Sequence, residues 1–122
     1  MSSQSEQDRK IVAKVCEMPV HFKARGDVSM VQLVRESGFK ESPEALALTS
    51  VRDYLSNHMH LIDAWTRLSD DKRTTSGWYF VERSKLLFEV GHYPNGPRLS
   101  FNDRAHACAE FIVREVNAIA VQ

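Results

Sequence analysis

The sequence predicts an α+β fold: N-terminal helices, a small antiparallel β-meander and a C-terminal amphipathic helix. Two observations carry this. Apolar residues recur at helical spacing as far as Trp65 and again from Ala105 to Ile119. Between Gly77 and Gly91 the chain turns instead to short runs of aromatic and β-branched residues. The 122 residues, 43% hydrophobic and 26% charged, suit one globular domain over 1–122.

Each element has its own signal. Residues 1–6 are rich in Ser and Gln and are expected to be disordered. In "DRKIVAKVCEM", Ile11, Val12, Val15 and Met18 mark a helix that Pro19 should end, leaving "HFKARGD" as a connector. "SMVQLVRESG" reads as a short helix opening at Ser29 and closing at Gly38. "ESPEALAL" offers Ser42 as a cap, Pro43 at the first helical position and Glu44 to complement the helix dipole. From there Leu48, Val51, Leu55, Met59, Ile62 and Trp65 keep helical register, so residues 43–69 form one helix or two. The weak helix formers of "SNHMH" favour two.

"GWYFVE" and "KLLFEVG", joined at "RS", predict a hairpin over about 77–91. Leu86, Phe88 and Val90 would share one face, with Leu87 and Glu89 on the other; Trp78 and Phe80 would be core, with Tyr79 opposite. "HYPNGPR" is a loop, and "LSF" suggests a third strand over about 98–101. The last helix should turn Ala105, Cys108, Ile112, Val116 and Ile119 inward, with Arg104, Arg114 and Asn117 outward.

Composition and spacing remove several chemistries. Sixteen basic residues balance sixteen acidic ones, so the global charge of a nucleic-acid binder is missing. No apolar run approaches the roughly 20 residues that span a bilayer, and the polar start has no signal-peptide core, which points to the cytoplasm. Cys16 and Cys108 sit among apolar or small residues and read as reduced core thiols. His58 and His60, two apart on a helix, would point about 200° from each other and could not share an ion. His21, His92 and His106 have no ligand partners at suitable spacing, so neither metal nor cofactor is expected. A nucleophile elbow, a Cys-x-x-Cys pair and a phosphate-binding glycine loop are likewise missing, and the reading is non-enzymatic.

Two binding readings remain. The helices around residues 29–57 superficially match a helix-turn-helix, but the second begins Pro43, Glu44, Ala45, Leu46, where phosphate-binding bases belong. Residues 41–76 instead hold six acids (Glu41, Glu44, Asp53, Asp63, Asp70, Asp71) against four bases, a local excess that could steer a basic protein partner. Asp70 and Asp71 also stand at a helix C-terminus, against the dipole.

"LIDAWTRLSDDKRTTSGWYF" and "FNDRAHACAEFIVREV" resemble segments of small bacterial immunity proteins, found beside polymorphic toxins and in contact-dependent growth inhibition systems. The likeness covers roughly residues 50–116 and brings no catalytic residue. It implies a cytosolic, non-enzymatic inhibitor forming a one-to-one complex with a cognate toxin domain, often a basic nuclease, and blocking its active site or substrate surface. Neither nucleic acid nor membrane would be bound. A structural adaptor is the remaining alternative. For partner contacts the candidates are Asp63, Asp70 and Asp71, with Glu44 and Asp53 behind them. The alternative surface is Tyr79, His92, Tyr93 and Arg98, residue types that interfaces favour.

Overall fold

The computed structural model describes residues 6–72 and 77–121, without the side chains of 71 and 72. The predicted disorder of 1–6 falls on undescribed residues except at Glu6, which opens helix α1 (Glu6–Cys16). That helix buries Ile11, Val12, Val15 and Cys16 along one stripe. Pro19 does not end structure as expected. The helix stops three residues before it, and the proline starts a second helix, α2 (Met18–Arg25), that takes up most of the predicted connector. Proline in a first turn has no helical amide to lose, so it reads as a start as readily as a stop.

At this break Val20 N donates to Glu17 O rather than to the carbonyl of Cys16. The indole of Trp65 takes the Cys16 carbonyl instead, Nε1 donating at 2.8 Å from a fully buried ring. Gly26, with φ 73°, closes α2. Helix α3 (Met30–Ser37) has its predicted ends: Ser29 Oγ accepts from Gln32 N at 3.1 Å, and Gly38 adopts the left-handed conformation.

The start expected at Ser42 is the second correction. Pro43–Ala45 make only a 3-10 turn, Ser42 makes no side-chain cap, and helix α4 (Leu48–Ser56) begins five residues beyond the proline. Ala45 and Leu46 are both buried, and the turn packs against α1. Core burial outweighs the local cap signal. The break favoured at "SNHMH" is present. Asn57 Nδ2 donates to the Asp53 carbonyl, and His58 Nδ1 lies 2.8 Å from the Tyr54 carbonyl, so side chains compete for the last backbone acceptors of α4. Helix α5 (His60–Lys72) then restarts the chain.

Three antiparallel strands follow in the order β1 (Gly77–Ser84), β2 (Leu87–Tyr93), β3 (Arg98–Phe101). The hairpin register pairs Phe80 with Val90 and Tyr79 with Gly91, and a bulge falls between Glu82 and Ser84. The reversal is at Lys85 and Leu86, two residues later than expected, so Leu86 is an exposed turn residue rather than part of the Phe88–Val90 face. Ser69 Oγ accepts from Phe80 N at 2.8 Å, docking α5 on the β1 edge.

Asp103 caps α6 (Arg104–Ala120), accepting from Ala105 N and His106 N. The five residues predicted to face inward are all buried, but so are Ala107, Ala109, Phe111 and Glu115. The reason is position: α6 lies between α3, α4 and α5 on one side and the sheet on the other. Its small residues let helices approach, while Phe111 meets Trp65 edge-on at 5.9 Å and stacks near Phe80 at 6.0 Å. Arg104 and Arg114 are accordingly half-buried rather than outward.

Candidate functional site

Alternation along the strands sorts the sheet into two faces. Phe80, Phe88 and Val90 look toward α6 and are buried. Tyr79, Val81, Leu87, Glu89, Tyr93, Arg98 and Ser100 belong to the other face and stay half-buried or exposed. At its centre the rings of Tyr79 and Tyr93 lie 4.5 Å apart. Gly91, the partner of Tyr79 across the strands, makes room for that ring: a Cβ there would sit 2.4 Å from the Tyr79 hydroxyl oxygen and 2.6 Å from the ring carbon bearing it.

Polar contacts fix the ring from its far end. The Tyr79 hydroxyl donates to Glu89, whose carboxylate also accepts from Arg83 Nη2 at 3.1 Å. Arg83, with Tyr79 second, holds the Glu89 carboxyl below the usual carboxylate range in spite of its burial. The Tyr79 phenol is pushed up by burial and by its bond to Glu89, so it remains a neutral donor. Arg98 stands across from Gly91 on β3 and acts electrostatically on Tyr79. Tyr93 and Leu87 remain 46% and 43% exposed. The result is an aromatic and arginine-bearing ledge whose central ring is held in place before any partner arrives.

Of the alternative candidate set, Tyr79, Tyr93 and Arg98 are thus brought together and His92 is not. Its ring lies on the opposite face, edge-on to Trp78 at 5.0 Å. Trp78 is itself half-buried, less than expected, and carries the Arg114 guanidinium 4.9 Å over its ring.

The acidic candidates scatter. Asp63 accepts a charge-assisted bond from Arg104, which also reaches Glu82 at 3.8 Å, so its charge is compensated within the fold. Asp70 is exposed seven residues further along α5 and on the same side of it. The Asp71 side chain lies outside the described residues. Glu44 and Asp53, both exposed, belong to the 3-10 turn and to α4. In the helix-turn-helix segment, Arg52 is paired with Asp103 at 2.8 Å.

Titratable groups gather in one more place. The Tyr54 hydroxyl donates to Glu17, and His21 Nε2 lies 3.6 Å from the other oxygen of the same carboxylate. His58 stacks on Tyr54 at 4.0 Å, while His58 and His60 ring centres are 6.3 Å apart. Burial first, then Glu17, pushes the Tyr54 phenol well above its ordinary value, so the group serves as a tie between α1–α2 and α4. Both cysteines are buried and free; burial pushes the Cys16 thiol up to about 12 and raises Cys108 as well. Thiols so shifted are poor nucleophiles at neutral pH. Among the described residues no group of three or more His, Cys, Asp or Glu is placed to hold a metal, and no helix is long and apolar enough to cross a membrane.

Comparison with known proteins finds no matching family model, curated protein or solved structure.

Proposed function

We propose that the chain is a non-enzymatic protein-binding module that neutralises a cognate toxin domain, and that it docks through the outer face of its sheet. One observation carries the reading: the Tyr79–Tyr93 pair on the sheet face turned away from α6, with Tyr79 fixed by Glu89 and Arg83 and Arg98 alongside. Tyr and Arg are favoured anchors because they bring large contact area at low cost in side-chain freedom. A ring already immobilised loses less entropy on binding than a free one.

The toxin as partner rests on the likeness of residues 50–116 to immunity proteins. The acids fit it in a secondary role. Asp70, exposed near the C-terminal end of α5, would speed the approach of a basic nuclease domain by long-range attraction, with the tyrosines supplying contact energy. Asp63, already bound by Arg104, would contribute less. Localisation in the cytoplasm belongs to this same proposal.

The test is a comparison of variants against the product of the neighbouring gene, which this reading expects to carry the toxin domain. Tyr93→Ala should weaken the complex mainly through faster dissociation, whereas Asp70→Lys should slow association and flatten its salt dependence. Affinity unchanged in Tyr93→Ala but lost in Asp70→Lys would move the docking surface to the acids of α5.

A further inference from the structure

Helices α2 and α5 pack side by side but do not close on each other. Between them lies a cleft of about 1000 Å³. Its floor is apolar: Val20 and Phe22 come from α2, and Ala64 and Leu68 from α5. The gap follows from the sequence. Positions 64, 67 and 68 fall on one side of α5, and the first of them is an alanine, too short to reach across to α2. The mouth is open as well, since a Cβ on Gly26 at the cleft would meet nothing within 4 Å. Val20 is therefore left 44% exposed and Phe22 and Leu68 half-buried, apolar surface that a ligand could remove from water.

The charged groups lining the cleft, among the described residues, are Lys23 and Arg67, one from each wall and both positive. An apolar trough with a few polar groups at its rim is the usual form of a small-molecule site, and the volume lies at the top of the roughly 300–1,000 Å³ such sites span. We infer that the α2–α5 cleft binds a single-chain anionic amphiphile, its hydrocarbon tail along Val20, Phe22, Ala64 and Leu68 and its carboxylate or sulfate head between Lys23 and Arg67. The tail supplies most of the affinity and the two cations select the sign of the head group. This site is distinct from the sheet face and does not depend on a toxin partner.

Dodecanoate, held below its micelle concentration, is the probe, with dodecyltrimethylammonium as the same tail bearing the opposite charge. In titrations followed by amide NMR, dodecanoate should saturate at one molecule per chain and shift the signals of Val20, Phe22, Ala64 and Leu68. The cationic amphiphile should bind about tenfold or more weakly. Lys23 and Arg67 are exposed, so the double variant Lys23→Glu/Arg67→Glu should fold as the parent does and invert that preference, about a tenfold loss for dodecanoate. Ala64→Trp, which fills the trough, should abolish binding of both. Equal affinity for the two head groups, shifts confined to other parts of the fold, or a double variant that binds dodecanoate like the parent would each overturn the assignment. So would attachment to anionic lipid vesicles without binding of free dodecanoate, which would make the feature a membrane contact.

Discussion

The indole of Trp65 donates to the carbonyl that the α1–α2 break leaves without its helical amide, so one side chain closes the core and repairs the backbone together. Trp65→Phe keeps a ring but strands that carbonyl, and should cost about 2–4 kcal/mol in denaturant unfolding, the unpaired acceptor and the new cavity together. Asp103 has a comparable double role. Burial disfavours its charge, yet the bonds from Arg52 and from the amides of His106 and Ala105 prevail and hold its pKa below the ordinary carboxylate value. Glu89 is depressed too, by Arg83 and then Tyr79. A carboxylate depressed in the folded state contributes stability that is fully present above its unfolded pKa, roughly 4, and is lost as pH falls through the lower folded value. Urea midpoints should therefore stay level from neutral pH down to about pH 4 and fall below it. Asp103→Asn, which removes the titrating charge, should lower the plateau and lessen the acid slope.

At the scale of elements, the hairpin and its glycine make the sharpest prediction. Gly91 is required by the Tyr79 ring above it rather than by its backbone angles. Gly91→Ala should displace that ring, cost about 1–3 kcal/mol through overpacking, and lose the Tyr79–Glu89 hydrogen bond. Altered tyrosine fluorescence or ring chemical shifts would report it, and an unchanged Tyr79 environment would count against the ledge as described. Truncating Phe80, buried against Phe111, should cost about 3–5 kcal/mol, and truncating half-buried Trp78 clearly less. The sequence made the α+β order, the Ser29–Gly38 helix, the break at "SNHMH", the three strands and the closing helix legible, since local caps and periodicity agree there with burial. It misled at Pro19 and Ser42, where a proline and a cap signal admit two readings that only packing against the rest of the chain decides. For the ledge, alternation foresaw that Tyr79 faces away from the core. The Glu89–Arg83 brace required the register, the parting of His92 from Tyr93 required a strand running into residues that read as a loop, and the α2–α5 cleft required a helix that the sequence hid behind Pro19.

Across the whole molecule, α6 is the keel between the helical layer and the sheet, and this placement leaves the other sheet face half-buried or exposed. The acids that predominate in residues 41–76 become separate features: Asp63 is tied into the fold by Arg104, while Glu44, Asp53 and Asp70 stand exposed on different elements. Tyr93, 46% exposed on that sheet face, can therefore be truncated without threatening the core. The most direct measurement is calorimetric titration of this chain, and of its Tyr93→Ala variant, into the product of the neighbouring gene, where the proposal places the toxin domain. A one-to-one complex with the parent chain, weakened about a hundredfold in a variant whose unfolding midpoint is unchanged, is the expected result for a central aromatic anchor. No complex with the parent, or equal affinity for the two proteins, would contradict the account.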